Sequence, residues 1–226
     1  ELLSKHFLEK FWGPQILGQH NKKIYLGGYT FRKNKTTLIG STSLLGSFDV
    51  ENNTFEEIID EINLVKSNHN EILGASIVGD NLYLIIGSSN RWEKLDFAAS
   101  FHLIKYNLEN KSKRVYNFPV NKTNRIPMAA YASNKSLIFS ENEKINIFIN
   151  VERETEKSKP FNNRFSEHYI LVNDELVLQK EYKNRFFSKY LSKEKILIGY
   201  TFDEVGDSKR SYHYMNYKAL ESADIA

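Results

Sequence analysis

Short apolar runs recur along the chain, each closed by a polar turn rich in Asn, Asp or Gly. Ile24–Gly28 and Leu82–Gly87 are almost continuously apolar, which predicts strands buried on both faces. Phe101–Leu108 alternates instead, the mark of a strand with one buried face. Between the runs stand His20-Asn21-Lys22, Glu51-Asn52-Asn53-Thr54, Gly79-Asp80-Asn81, Glu109-Asn110-Lys111 and Asn173-Asp174. Asn, Asp and Gly tolerate the left-handed backbone of tight hairpins. The pattern therefore predicts an all-β chain of antiparallel hairpins.

The strands group into units. Gln15–Gln19, Ile24–Gly28, Leu44–Val50 and Phe55–Ile59 form the first, with a polar loop over 29–43. Glu71–Val78, Leu82–Gly87, Phe101–Leu108 and Lys113–Phe118 form the second. Ile24-Tyr25-Leu26 matches Leu82-Tyr83-Leu84, and Phe48-Asp49-Val50-Glu51-Asn52 matches Tyr106-Asn107-Leu108-Glu109-Asn110 at the same offset. Two matches at one offset signal an internal repeat. In the third unit Met128–Ala132, Ser136–Ser140, Ile145–Val151, His168–Val172 and Glu175–Gln179 read as strands, and Glu152–Arg164 as a charged loop. The fourth begins near Phe186; its Gly199-Tyr200-Thr201-Phe202 repeats Gly28-Tyr29-Thr30-Phe31. Repeats over roughly 15–60, 71–118, 128–180 and 186–222 thus fill a single domain, since no Gly, Ser or Pro linker divides it. Leu2–Trp12 reads either as a short amphipathic helix or as an outer strand closing the fourth unit, and Pro14 is expected to stop either one.

Four-stranded units that bury too little alone stack on one another, and the radial solution is a β-propeller, whole or in part. The stretch IYLGGYTF, followed by SFDVENNTFEEI, resembles a kelch-type blade. Gly27-Gly28, Phe48 and Phe55 stand at the places of the family's glycine pair, its downstream aromatic and its last-strand aromatic, with Phe55 where Trp is usual. The second unit keeps Ile86-Gly87 and the third no glycine there. The resemblance implies a kelch-like propeller. The position itself reads as the place where a buried strand turns into its rim loop, which glycine torsions permit.

Composition narrows the function. The chain has 226 residues, is 41% hydrophobic and 13% aromatic, and carries a formal net charge of +3. Arg32-Lys33-Lys35 and Lys111-Lys113-Arg114 are short groups in turns, not a stripe, so no nucleic-acid partner is expected. There is no Cys, which removes disulfides, thiol catalysis and Cys-ligated zinc. No apolar run approaches the ~18 residues of a membrane helix, so no membrane insertion is expected. The chain begins at Glu1, as a processed form or a piece of something longer does. Sequons at Asn34, Asn52, Asn110, Asn121 and Asn134 point to an extracellular or cell-surface glycoprotein.

Candidate chemistry is sparse. His102 and His213, with His168 as a third, start strands at equivalent places, but no carboxylates accompany them at ligand spacing, so no metal or cofactor is expected. Glu56-Glu57, Asp60-Glu61 and Asp203-Glu204 are the paired acids from which a hydrolytic site would be drawn. No nucleophile elbow or phosphate-binding glycine loop is present, and no catalytic residue is assigned. The long connections between second and third strands are the favoured site. Arg91 and Trp92 are interface-type residues, joined by Tyr29 and Arg32 in the first unit and Tyr200 and Asp203 in the fourth. The basic first loop and acidic fourth loop are expected to form a weak ion-pair latch. The leading expectation is a non-catalytic propeller that binds a protein or glycan through one rim; the alternative is a carbohydrate-active propeller hydrolase with acids at its channel.

Overall fold

The computed structural model describes residues 12–34, 37–59, 69–89, 100–119, 124–125, 136–153, 164–202 and 210–217, with side chains over 15–28, 45–58, 70–88, 100–119, 136–153, 164–201 and 213–217. Every element among them is a strand, and the chain divides into two compact units, Glu1–Asn121 and Lys122–Ala226.

In the first unit β1 (Trp12–His20), β2 (Lys23–Asn34), β3 (Thr37–Asp49) and β4 (Thr54–Ile59) make an antiparallel meander. A second meander follows with β5 (His69–Val78), β6 (Asn81–Ser89), β7 (Ser100–Asn107) and β8 (Lys113–Asn117). One parallel pair, Ser41 with His69, links the two. The core lies between them. Tyr25 and Leu45 meet Ile72, Leu82, Leu84, Ile86, Ile104 and Tyr106, with Leu17 and Ile58 at the edge.

The repeat is physical as well as textual. Asp49 Oδ1 accepts from the backbone N–H groups of Glu51 and Asn52, each at 3.0 Å. Asn107 Oδ1 accepts from Glu109 and Asn110 at 3.1 and 2.9 Å. The same short acceptor therefore builds the same turn at the same place in each meander.

The second unit holds a sheet of β9 (Asn124–Arg125), β10 (Ser136–Glu141), β11 (Lys144–Arg153), β12 (Arg164–Val172) and β13 (Glu175–Lys183), then a three-stranded sheet of β14 (Arg185–Leu191), β15 (Ile196–Phe202) and β16 (Arg210–Asn216). Aromatic rings pack between these sheets. Phe148 lies 4.8 Å from Phe187, which meets Tyr182 edge-on at 5.1 Å, and Phe139 stacks on Tyr190 at 4.0 Å.

Four expectations change here. Pro14 does not stop β1, which runs from Trp12 with a register shift between Trp12 and Gln15. β1 is an edge strand, where a residue without an N–H is tolerated at a bulge. Residues 29–34 and 37–43 are strand and not loop, because β2 and β3 continue pairing to Asn34 and Thr37. Polarity there misled, as backbone pairing does not require an apolar face and Thr suits a strand. Glu152 and Arg153 extend β11 and Arg164 opens β12, so the presumed charged loop is partly paired sheet. Gly27 lies within β2 without a left-handed torsion. A Cβ there would stand 2.8 Å from Ile72 Cδ1 and 3.0 Å from Leu17 Cδ1, so close packing requires it, not turn geometry. Met128–Ala132 and the 1–11 segment lie outside the described residues.

Each meander has two unlike ends. One carries tight turns, with both residues left-handed at Asn21-Lys22 (φ 44 and 63°), Asn142-Glu143 (φ 50 and 63°) and Asn173-Asp174 (φ 48 and 65°). The other is where the second strand hands over to the third, across 35–36, 90–99, 154–163 and 203–209.

Candidate functional site

Buried polar side chains gather at that second end, the connection end. In the second meander Asn70, Ser88 and His102 are all buried there; Ser88 Oγ donates to Asn70 Oδ1 at 2.6 Å, and His102 Nδ1 lies 2.8 Å from Asn117 Oδ1. In the five-stranded sheet the buried polar residues at this end are Ser136, Asn150, Glu152, Arg164, Ser166 and Glu167. In the three-stranded sheet His213 Nδ1 sits 3.0 Å from Thr201 Oγ1, near Arg185. Burying polar groups costs stability unless they are paired. Most of the buried polar residues stand at this end of two sheets, the second meander and the five-stranded sheet, while Ser47, Asn146 and His168 are buried nearer the turns. The end where the rest gather is where folding yields to another demand.

The five-stranded sheet carries the strongest electrostatics. Strand alternation puts Glu152 and Arg164 on one face as cross-strand partners, with Arg164 Nε 3.4 Å from Glu152 Oε1. Asn150 lies on the same face. Its Oδ1 accepts from Ser166 Oγ at 2.8 Å and from the Phe187 N–H at 3.2 Å, and its Nδ2 donates to the Phe187 carbonyl at 2.9 Å. A side-chain amide thus stands in for a missing strand and ties β11 to β14.

On the opposite face Arg153 donates to both Glu167 and Glu181, and its guanidinium covers the Phe165 ring at 4.4 Å. Glu167 and Glu181 are themselves register partners. Like charges directly opposite destabilise a ladder, and Arg153 is the counter-charge that permits the pairing. The hydrogen bond from Arg153 holds the Glu181 carboxyl below its usual value. Burial, with the Glu167 carboxylate alongside, pushes the Tyr169 phenol far up, so it stays neutral and donates to Glu167 Oε2 at 2.7 Å.

This network fixes and orients; it supplies no proton donor. Glycoside cleavage by two carboxyl groups needs one of them protonated near neutral pH. Glu181 is held in the opposite state, and the neutral Tyr169 O–H is already committed to Glu167. Among the described residues no three His, Asp or Glu side chains cluster as a metal centre.

The residues expected at the site fare differently. Tyr29 and Arg32 lie on β2, opposite Ser43 and Gly40, and not on a loop. Tyr200 lies on β15 between Phe186 and Tyr212. Arg91, Trp92 and Asp203 fall outside the described residues, as do Asp60, Glu61 and Glu204 and hence the expected latch. Glu56 sits near the turn end, where its Oε1 takes Lys111 Nζ at 2.6 Å and its Oε2 faces Lys23 at 3.6 Å. It is a surface ion pair far along the strand from the connection end. Arg153, Glu167, Glu181 and Asn150 were missed by sequence reasoning. The signal lay in the alternation of Ile145, Ile147, Ile149 and Val151, which continues in step to Arg153.

Solved structures decide the fold. A Bombyx mori GH32 β-fructofuranosidase superposes with a TM-score of 0.52 at 12% identity, over 84% of this chain and 43% of its own. A Trypanosoma rangeli sialidase, solved with sialic acid, superposes at 0.55 and 10% identity, over 92% of this chain and 36% of its own. The fold is that of a β-propeller, or part of one. The chain spans well under half the length of either enzyme. No protein-family model and no curated protein matches it, so the kelch resemblance reaches no further than the propeller-like all-β fold. The expectation of a non-catalytic binding module is corrected: the two solved structures on which this chain superposes here are a β-fructofuranosidase and a sialidase, both glycoside hydrolases. The sequence misled for a plain reason. Glu56 and Glu57 lie on β4, and the spacing of acids along a chain does not report which of them a fold brings together.

Proposed function

We propose that this chain is the propeller, or a portion of the propeller, of a carbohydrate-active hydrolase, and that it handles its glycan at the connection ends of its sheets. The observation that carries this reading is the fold shared with a β-fructofuranosidase and a sialidase across most of this chain. The buried polar side chains at the connection ends of the second meander and the five-stranded sheet support the choice of end. Loops on a rigid scaffold carry function more often than the scaffold does, so Arg91, Trp92 and Asp203, in the connections 90–99 and 203–209, are the proposed glycan contacts. Trp92 would offer an aromatic face to a sugar ring at the first unit, and Asp203 would offer a carboxylate to sugar hydroxyls at the second.

The test is hydrolysis of a panel of fructosides, sialosides and neutral oligosaccharides by the purified native protein, followed by NMR of the released sugar. Turnover of one class, reduced at least tenfold by Asp203→Asn or Trp92→Ala, supports the reading. Glycan binding without turnover on any member of the panel overturns the hydrolase.

A further inference from the structure

His102 and His213 share an uncommon state. His102 is 7% exposed and lies on β7 opposite Ile86. Its Nδ1 faces the Asn117 amide oxygen, which only accepts, so Nδ1 carries the proton and Nε2 is a bare lone pair. That Nε2 is buried with no hydrogen-bond partner. His213 repeats the arrangement on β16 opposite Gly199. Its Nδ1 meets Thr201 Oγ1, its ring meets Phe187 edge-on at 5.3 Å, and its Nε2 is again buried without a partner. His168 differs, because its Nε2 engages Asn146 Oδ1 at 3.0 Å.

Whichever nitrogen holds the first proton, a second one creates a charged imidazolium whose Nε2–H has no acceptor. Among the described residues the neighbours do not relieve it. Beside His102 on its face of the sheet stand Ser88, Ile86, Ser100, Ile104 and Asn117, with Asn70 and Ile72 one strand further, none of them charged. Beside His213 the charged group among the described residues is Arg185 on β14, of the wrong sign; Tyr182 on β13 packs against the same Phe187 ring. Burial disfavours the charged imidazole at both positions, and Arg185 adds to this at His213.

We propose that His102 and His213 are paired acid-sensitive latches, which keep the connection ends of their two sheets closed at neutral pH and release them on protonation. The sign follows from linkage. The opened state takes up a proton near the ordinary histidine value of 6.5 and the closed state only at lower pH. Closure is therefore at full strength above 6.5 and weakens as pH falls below it, by up to about tenfold per pH unit for each histidine. Because each latch lies at a proposed glycan-handling end of its own sheet, acid would open each of those ends first. The latch itself stands on the two buried Nε2 atoms and survives if the hydrolase reading fails.

Hydrogen exchange of the intact chain from about pH 7.5 to about pH 5 tests it, after correction for the intrinsic rate. Protection at 86–88, 101–103 and 199–201 should fall by up to about tenfold per pH unit relative to the turn-end amides of the same strands. His102→Gln, which keeps an amide donor and acceptor but cannot charge, should abolish the pH dependence in the second meander and leave it at 199–201. Equal loss at both ends of the strands, or an unchanged profile in His102→Gln, overturns the proposal. So does an imidazole NMR titration of the native chain that places either histidine at or above 6.5, a measurement that stands even where the variant fails to fold.

Discussion

Arg153→Met is the most informative substitution in the second unit. It keeps the length of the side chain and removes the charge that joins Glu167 to Glu181. Glu167 is 7% exposed and Glu181 39% exposed at the side chain, so the two partners are not equivalent. A unit charge pair near 4 Å interacts by about 4 kcal/mol at an effective dielectric of 20. Removing one partner of a buried pair costs about 3–5 kcal/mol, because the other charge is left unpaired. Glu181 can turn to water and contributes little of this. Glu167 cannot, and Tyr169 donates to its Oε2 at 2.7 Å without neutralising it. The expected loss is about 3 kcal/mol at pH 7, read by urea unfolding. Adding Glu167→Gln should return about half of it, since a neutral amide needs no counter-charge. The pH profile carries a second check. Arg153 depresses the Glu181 carboxyl below its ordinary 4.5, so the associated stability is present above 4.5 and is lost as pH falls below it. The difference between the native chain and the Met variant should narrow in acid by this minor Glu181 share. A loss under about 1 kcal/mol at pH 7 would mean a solvent-screened surface pair and would refute the buried-network account.

Further outcomes follow from the backbone. Gly199→Ala places a Cβ 2.0 Å from the Phe186 carbonyl oxygen and 2.9 Å from His213 Cε1, so β14 and β15 must separate, at a cost of about 3 kcal/mol in thermal unfolding. Gly79→Ala meets nothing within 4 Å and pays only for its φ of +55°, about 1 kcal/mol; equal losses at the two glycines would sink this distinction. Asp49→Ala and Asn107→Ala should both destabilise the first unit through the same lost turn acceptor. The Asp49 effect should fade in acid, because the backbone and side-chain hydrogen bonds of Asn52 hold its carboxyl below 3.8, whereas the Asn107 effect should not change with pH.

The strands were legible where backbone and side chain agree. Leu82–Gly87 is apolar at every step and is buried on both faces. Asn52-Asn53 and Asn173-Asp174 carry residues that suit left-handed torsions, and the turns are there. Legibility failed where polar residues pair as strand. Thr30, Thr37 and Thr42 look like loop because they are not apolar, yet they lie on one long hairpin. Gly27 looked conformational, but its reason is the approach of Leu17 and Ile72, which belong to other strands. The site was least legible. Arg153 and Glu181 stand 28 residues apart and become neighbours only through the ladder of β11, β12 and β13. Spacing along the chain cannot report a contact that register creates.

The difference between the two ends of each meander bears on how such a chain can change. At Asn21-Lys22, Asn142-Glu143 and Asn173-Asp174 the hairpin closes on two residues, and one inserted residue would slip the ladder and turn a strand inside out. At 90–99 or 154–163 the closure entropy grows only with the logarithm of length, so doubling such a segment costs about 0.6 kcal/mol. Insertions, grafted loops and whole inserted domains should therefore be accepted at one end and rejected at the other. A lineage of such chains is free to diversify its ligands while its turns stay fixed in length, and a library of inserted peptides at Asn21 and at Ser89 would display that asymmetry directly.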